Sequence, residues 1–229
     1  MCGRFTLTLE ISALQMAFDL GAQSVDWKPN YNIVPSSKIP VVTNQNPTQV
    51  ELLHWGLVPS WAKDASISAK LINARSETAH DKPSFRTPFR SKRCLIFADG
   101  FYEWKRGVYK GSKKVPYYFR RQDKSPFVFA GLWDYWPGNE NAQALSSCTI
   151  LTCSPNNIVA PIHDRMPVIF NWNQGKEWLS DKKSEIELRS MLVSVDEIAI
   201  EGYEVSSIVN RPNNNSPTCI EPQKKLTLF

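Results

Sequence analysis

Short apolar or alternating segments recur along the chain and are separated by Pro, Gly and Asn, a pattern typical of short β-strands joined by turns. The predicted strands are KIPVVT (38–43), VELLHW (50–55), RCLIFA (93–98), GFYEWK (100–105), VPYYFRR (115–121), PFVFAGLW (126–133), SSCTILTC (146–153), MPVIF (166–170) and GYEVSS (202–207). CGRFTLT, at 2–8, also predicts a strand, in which Arg4, Thr6 and Thr8 share one face.

Helical spacing of apolar residues occurs in three segments. Ile11, Leu14 and Phe18 lie on one face of a predicted helix that stops at Gly21, and two further helices are predicted at 174–179 and 184–193. No internal repeat or low-complexity linker divides the chain. These patterns predict a single α+β domain over 1–229, β-rich, built as a twisted antiparallel barrel or sandwich with peripheral helices.

The composition is that of a globular protein. The chain has 229 residues, 42% of them hydrophobic, with eight Trp, and a chain of this size buries roughly 70% of its unfolded surface. Intrinsic disorder is therefore excluded. The apolar runs are far shorter than the ~18 residues that cross a bilayer, and the start lacks a basic segment followed by an apolar one. We expect an intracellular protein, in the cytoplasm or nucleoid if the source is bacterial.

The five cysteines do not form a metal or disulfide pattern. An odd number of cysteines in a chain with a sizeable core indicates reduced thiols. Cys148 and Cys153 are the only close pair, they lie in a predicted strand, and the chain has three His, so the tight pairs of structural zinc sites are missing. We expect neither a metal nor a cofactor.

Positive charge is concentrated in the middle of the chain, although the net charge is only +5. The segment 82–98 has five basic residues and no acid, and 105–121 has seven and no acid. Aromatic residues alternate with these cations, a combination that suits a polyanion such as nucleic acid. The alternative is a solvated, lysine-rich face with no partner, and charge alone favours neither interpretation.

Three segments carry polar residues that an ordinary strand does not need. LINARSET has Asn73, Arg75 and Glu77 on alternate positions, and IHDRMPVI has His163, Asp164 and Arg165 before an apolar strand. Glu103 lies between Tyr102 and Trp104; desolvation there would raise its pKa and suit it to proton transfer near neutral pH. Taken one at a time, simpler interpretations compete: a surface glutamate on a hairpin, a histidine satisfied at a strand start, and a turn cap with an ion pair.

Cys2 becomes an unusual nucleophile if Met1 is removed. The freed α-amine has a pKa near 7.7–8.0, so roughly 10–15% is neutral at pH 7, against ~0.04% of a lysine. Amines form Schiff bases with aldehydes, and the adjacent thiol can then close a five-membered thiazolidine. The alternative is a buried cysteine that begins a strand, since free Cys is among the most buried residues.

Ten motifs in a fixed order resemble the SOS response-associated peptidase (SRAP) family of abasic-site processing proteins. They are MCGRF (1–5), YNIVPSS (31–37), HWGLVPSWAKD (54–64), LINARSET (71–78), RCLIFADGFYEWK (93–105), PYYF (116–119), AGLWD (130–134), ILTCSPN (150–156), IHDRMPVI (162–169) and VSSIVNRPNNNSPTCI (205–220). The resemblance spans nearly the whole chain and implies a protein of the DNA damage (SOS) response that crosslinks covalently to abasic sites in single-stranded DNA.

The resemblance also implies a role for individual residues. Cys2, without Met1, would form the thiazolidine with the ring-opened sugar; Asn73 would orient the adduct; Glu103 would transfer protons in formation and reversal; and His163 would assist ring opening. By the same resemblance, the residues that would bind DNA are Arg4, Asn32, Trp61, Arg75 and Arg165. Among them, Trp61 would stack on a base as a wedge. If Met1 is retained, the Cys2 nitrogen is a peptide amide and forms no thiazolidine.

Two other functions remain open at this point. The family name records a proposed hydrolase activity, so the chain is alternatively a cysteine peptidase that acts on its own N-terminus or on other proteins, with Cys2 and His163 as the catalytic pair. A noncovalent single-strand binder is the third interpretation. We expect a monomer with lyase-type crosslinking activity; the sequence names no replication-fork partner.

Overall fold

The computed structural model describes residues 2–22, 25–105, 107, 109, 113–194 and 200–223. The strands are β1 (Phe5–Leu7), β2 (Asn30–Ile33), β3 (Lys38–Thr43), β4 (Glu51–Trp55), β5 (Asn73–Arg75), β6 (Arg93–Ala98), β7 (Gly100–Lys105), β8 (Val115–Arg121), β9 (Phe127–Trp136), β10 (Leu145–Cys153), β11 (Met166–Pro167), β12 (Ile169–Phe170) and β13 (Ile200–Glu204). The helices are α1 (Ile11–Phe18), α2 (Arg86–Ser91), α3 (Trp172–Leu179) and α4 (Glu185–Ser190), with 3-10 turns at Ala65–Lys70, Ser207–Asn210 and Pro217–Cys219.

Five strands close into a barrel. Following the pairings β10–β4–β3–β6–β9 leads back to β10, because β9 and β10 pair antiparallel over Leu145–Ile150. Closure removes the free edges that a flat sheet would expose. Only the contact between β10 and β4 is parallel within this ring. The sequence prediction of a β-rich, largely antiparallel barrel is therefore confirmed.

A second sheet, in the order β13-β8-β7-β1-β2, shares its core with the barrel. Phe5 on β1 makes edge-on contacts with Trp55 and Phe129 of the barrel, at ring-centroid distances of 5.1 and 5.6 Å. Phe101 stacks on Phe119 at 5.1 Å within the sheet. Aromatic pairs of this kind add to the free energy of burial, and they fix the start of the chain against the barrel.

The predicted helices are present with shifted ends. α1 ends at Phe18, ahead of Gly21, because Asp19 adopts a left-handed conformation (φ 48°). α3 begins at Trp172 behind an Asn171–Gln174 capping box, and a Ser184–Glu187 box begins α4. α2 was not predicted, since its central Pro88 argues against a helix. No helix within the described ranges is both long and apolar enough to span a bilayer.

Five of the twelve cations in the two basic segments form ion pairs among the described residues. Arg93 is 1% exposed and donates to carbonyls at the ends of α2 and α3 and to Asp181, so it caps two helix C-termini. Four more cations form ion pairs with nearby carboxylates: Arg90–Glu185, Lys92–Asp134, Arg120–Glu201 and Arg121–Asp123. The charge pattern, which by itself favoured neither a polyanion surface nor a solvated face, is thus structural in part.

Candidate active site

Cys2 lies directly before β1 and is fully buried. β1 pairs with β7 in the register Phe5↔Phe101, and the amide of Tyr102 donates to the carbonyl of Arg4 (2.9 Å), so the pairing continues past the end of β1 toward Cys2. This register brings Cys2 beside the part of β7 that carries Glu103. Burial raises the pKa of the Cys2 thiol, and the negative charge of Glu103 raises it further.

Asn73 reaches Cys2 from the barrel. β5 pairs parallel with β10, with Asn73 opposite Ile150, and the side-chain Nδ2 of Asn73 donates to the Cys2 carbonyl oxygen at 2.8 Å. Its Oδ1 is buried and accepts no hydrogen bond from the described residues. The Asn73 amide therefore holds the Cys2 backbone with its donor and has a remaining acceptor for another group.

Glu103 is buried on β7, with 2% of its surface exposed. The structure thus rejects the interpretation of Glu103 as a surface glutamate on a hairpin. Loss of solvent is the main cause that raises the pKa of Glu103 to about 7. A carboxyl group with this pKa is partly protonated at neutral pH, so it can both accept and donate a proton under physiological conditions.

His163 completes the site from the loop between β10 and β11. Asn156 anchors this loop by accepting hydrogen bonds from the amides of Ile158 and Val159. The Arg165 amide donates to His163 Nδ1 (3.0 Å), and the Arg165 carbonyl oxygen lies 3.3 Å from the same nitrogen. Nε2 of the same ring lies 3.8 Å from Glu103 Oε2.

A carboxylate also approaches the other ring nitrogen of His163. Oδ1 of the exposed Asp164 is 3.1 Å from Nδ1. The carboxyl groups of Asp164 and Glu103 therefore approach the two ring nitrogens of His163 from opposite ends. Among the described residues, no three His, Cys, Asp or Glu side chains gather as metal ligands do.

A cleft of about 320 Å³ opens beside His163, lined by Lys105, Ala160, Pro161, Ile162, His163 and Asp164. Lys105 was not among the predicted site residues. It follows Glu103 by two positions on β7, so the strand's alternation puts the two side chains on the same face. That alternation was the signal available in the sequence, and it brings a further cation to the border of the cleft.

Arg4 and Asn32 form one unit next to this site. Arg4 donates to Asn32 Oδ1 (2.6 Å) and to the Val209 carbonyl (2.8 Å), and its guanidinium lies 5.7 Å from the centre of the Trp104 ring. Asn32 is 3% exposed, and its Nδ2 donates to three carbonyls of the segment 209–214. Asn32 therefore orients Arg4 and this segment through contacts within the protein, and its part in DNA binding stays a prediction.

Arg75 and Arg165 differ in exposure and in partners. Arg75 is exposed and follows Asn73 by two positions on β5, on the same face of the strand. The Arg165 side chain is 12% exposed, and its guanidinium forms a bidentate ion pair with Glu77, at 2.6 and 2.9 Å. It also donates to the Thr152 carbonyl. Of the two, Arg75 is the more exposed to solvent.

Trp61 is exposed on a firmly held loop. Its indole has 59% of its surface in solvent, whereas the loop backbone is anchored on both sides of it. The Ser60 amide donates to Asp134 (2.9 Å), and Trp136 Nε1 donates to the Ala62 carbonyl (2.8 Å). Asp134 and Trp136 were not predicted to matter, because their partners lie more than seventy positions away in the sequence.

Comparisons with known proteins agree with one another. Residues 1–212 match the sequence model of the family described as SOS response associated peptidase (SRAP). The abasic site processing protein YoqW of Bacillus subtilis is 45% identical over 225 residues, which cover 96% of this chain and 99% of that relative. The abasic site processing protein HMCES of Xenopus tropicalis is 30% identical over 265 residues, covering 96% of this chain and 78% of that protein.

The fold is also that of a solved protein. A crystal structure of a protein from Bacteroides thetaiotaomicron superposes with a TM-score of 0.87, covers 97% of this chain and 100% of its own, and is 25% identical in sequence. The architecture described above is thus shared along nearly the full length of both chains.

Proposed function

Because this chain belongs to the SOS response associated peptidase (SRAP) family, we propose that it processes abasic sites in single-stranded DNA by covalent capture through Cys2 after loss of Met1. The observation that carries the proposal is the convergence of Cys2, Asn73, Glu103 and His163, which come from four separate segments. The names of the relatives support abasic sites as the substrate.

The α-amine of Cys2 acts first. Its nitrogen attacks C1′ of the ring-opened deoxyribose aldehyde, forming a C–N bond while the carbonyl oxygen takes up a proton. Loss of that oxygen as water gives an imine. The low pKa of an α-amine, compared with that of lysine, supplies the neutral nucleophile near pH 7.

The Cys2 thiol acts second. Its sulfur adds to the imine carbon, the S–H proton passes to the nitrogen, and a thiazolidine ring closes. The balance of both steps is one aldehyde and one aminothiol giving one thiazolidine and one water, without oxidation or reduction. The raised pKa of the thiol keeps it protonated at neutral pH, so this proton must leave the sulfur as the C–S bond forms, because the thiolate is the nucleophilic form.

Glu103 moves the protons of these steps. With a pKa of about 7, it accepts a proton as the amine attacks and returns one to the oxygen that leaves as water. The reverse reaction uses the same group in the opposite order. His163, whose Nε2 lies 3.8 Å from Glu103, donates a proton to the sugar oxygen when the ring opens, and Asn73 orients the adduct through the Cys2 carbonyl.

The DNA path is proposed to follow the exposed cations and the indole around the site. Arg75 and Lys105 are exposed at its borders, and Arg4 and Arg165 present fixed guanidinium groups. Arginine and lysine hold phosphates without reading sequence, and Trp61 offers a face for a base to stack on. This arrangement suits a protein that acts on a lesion in any sequence context.

A cysteine peptidase acting on other proteins is less well supported. Such an enzyme needs a thiolate paired with an imidazolium, whereas burial and Glu103 both raise the pKa of the Cys2 thiol and His163 Nε2 faces Glu103. Release of Met1 by the same residues is the peptidase reaction that would serve the crosslinking function. A monomeric state and an intracellular location stay predictions from the sequence.

The test uses protein whose intact mass shows that Met1 is gone. It is incubated with a synthetic single strand that carries one abasic site, and products are separated in SDS. We expect an SDS-resistant adduct with the parent and with Cys94→Ala, whose thiol lies in the barrel wall, and none with Cys2→Ala. Equal adduct from Cys2→Ala would refute the proposal. Turnover of a peptide library that Cys2→Ala abolishes would favour the peptidase instead.

A further inference from the structure

Glu77 occupies a place among the cations where a nucleic-acid phosphate would be expected. Its two carboxylate oxygens bind the two terminal nitrogens of Arg165, at 2.6 and 2.9 Å. A guanidinium fork binds a carboxylate and a phosphate with the same paired geometry. The carboxylate of Glu77 therefore accepts the two hydrogen bonds from Arg165 that a phosphate would otherwise accept.

The backbone fixes Glu77 in this place. β5 ends at Arg75, and the chain turns at once, because the amides of Thr78 and Ala79 both donate to the Arg75 carbonyl (3.1 and 2.9 Å). The Ser76 amide donates to the Thr152 carbonyl (2.9 Å). The turn holds Glu77 four positions after Asn73, at the border of the site and not on a distant surface.

Glu77 carries its negative charge at neutral pH and shares it with two cations. The Arg165 guanidinium and, to a smaller extent, Arg75 hold the pKa of Glu77 below its ordinary value. Half of the Glu77 side chain is exposed (49%), so its charge also acts on solutes that approach Arg75. A DNA phosphate moving toward these arginines meets a carboxylate that repels it and competes with it.

We propose that Glu77 is a specificity-determining residue, whose carboxylate takes the place of a backbone phosphate at Arg165 and beside Arg75 and so weakens the binding of intact single-stranded DNA. Covalent capture at Cys2 then distinguishes a lesion from undamaged DNA, since only an aldehyde can be retained after the weak encounter. This inference rests on the proposed function for its ligand. Its test measures noncovalent binding alone.

The experiment is done in the Cys2→Ala background, which forms no crosslink, with a fluorescein-labelled oligothymidylate that contains no abasic site. Anisotropy gives the affinity between about 50 and 200 mM salt. We expect Glu77→Gln to bind more tightly, by up to about fivefold, the size of an exposed ion pair. The slope of log affinity against log salt should steepen by about 0.7, the value of one additional phosphate contact on a single strand.

Two further variants test whether the change in DNA affinity comes from the charge at position 77, from the shape of that side chain or from the net charge of the protein. Glu77→Asp keeps the charge and should retain the parent affinity and slope. Asp123→Asn removes the acid from another arginine pair, Arg121–Asp123, which lies at the end of β8, four and six residues beyond Tyr117, the partner of Glu103 in the sheet. It should have a smaller effect than Glu77→Gln.

Three outcomes would overturn the inference. Unchanged or weaker binding by Glu77→Gln would show that Glu77 only orients Arg165, and an equal gain in Asp123→Asn would show an effect of net charge. An equal gain in Glu77→Asp would show that side-chain length matters and the charge does not. A failure of the proposed function is recognised separately, as the absence of adduct from protein with an intact Cys2. With Cys2 present, an excess of intact strand should inhibit crosslinking by Glu77→Gln more than by the parent.

Discussion

Nε2 of His163 lies 3.8 Å from Oε2 of Glu103, and the Arg165 amide donates to the other ring nitrogen, Nδ1. The two residues are sixty positions apart in the sequence. Their approach couples a buried carboxyl group with a pKa of about 7 to a partly exposed imidazole. The pair therefore places two groups that can carry protons next to each other, beside the cleft that Lys105 lines.

Replacing Glu103 by Gln should slow crosslinking and change its pH dependence. Gln keeps the shape of the side chain but accepts no proton, so the rate should fall by about 10²-fold, the lower range for general acid–base catalysis. In the parent the rate should rise with pH through an inflection near 7, where Glu103 becomes a base. In Glu103→Gln only the inflection of the α-amine, at about 7.7–8.0, should remain.

Single-turnover rates of adduct formation between about pH 5.5 and 9 would measure both effects. Cys94→Ala is the control, because its thiol is in the barrel. An inflection near 7 that persists in Glu103→Gln would assign that titration to another group.

Glu103→Gln should also stabilise the fold at alkaline pH. A glutamate in the unfolded chain has a pKa of about 4.3, whereas Glu103 in the folded protein has a pKa of about 7, so folding favours the protonated form. This stabilisation is fully present below pH ~4.3 and is lost as the pH rises through about 7. Above pH 7, Glu103→Gln should be the more stable protein, on the order of 3 kcal/mol.

Chemical denaturation of parent and variant at about pH 4.5 and pH 8 would test this linkage. The two proteins should differ little at the lower pH and most at the higher. A constant difference in the free energy of unfolding at both pH values would mean that packing, and not ionisation, is responsible.

The contribution of Trp61 to DNA binding should depend on the groups that hold its loop. Trp61→Ala should weaken binding of single-stranded DNA by about tenfold, since stacking of one base contributes about 1–3 kcal/mol.

Trp136→Phe removes the hydrogen bond from Nε1 to the Ala62 carbonyl and should weaken DNA binding severalfold, while the rate at saturating DNA stays unchanged. Fluorescence anisotropy and saturating crosslinking rates separate the two quantities. Equal DNA affinity for Trp136→Phe and the parent would refute a positioning role.

Arg93 should prove to be a structural cation. Its guanidinium is buried and donates to carbonyls of Arg90, Trp178 and Ser180 and to Asp181. Arg93→Ala leaves these acceptors without partners and should lower the free energy of unfolding by about 3 kcal/mol. The salt slope of DNA binding, measured where the variant is folded, should not change. A slope reduced by about 0.7 would instead indicate a phosphate contact.

Local patterns in the sequence determined most of the strands and the family. RCLIFA, GFYEWK and VPYYFRR became strands with the predicted bounds, because alternation and β-branched or aromatic residues express a preference that acts over neighbouring positions. The order of ten motifs predicted the family that residues 1–212 match. The helix α2 escaped prediction, since Pro88 disfavours a helix locally while packing of Phe89 in the core favours it.

The site itself was decided by tertiary structure. The sequence left two interpretations of Glu103 open, a surface glutamate and a desolvated proton-transfer group. Burial in the folded protein selects the second, because loss of solvent raises the pKa of the Glu103 carboxyl group. Asn73 meets Cys2 only because β5 joins β10 while β1 joins β7. The basic segments gained their acidic partners in the same way. Desolvation and Coulomb interactions depend on distances in space, and residues seventy positions apart have such distances only after the barrel and the second sheet have packed together.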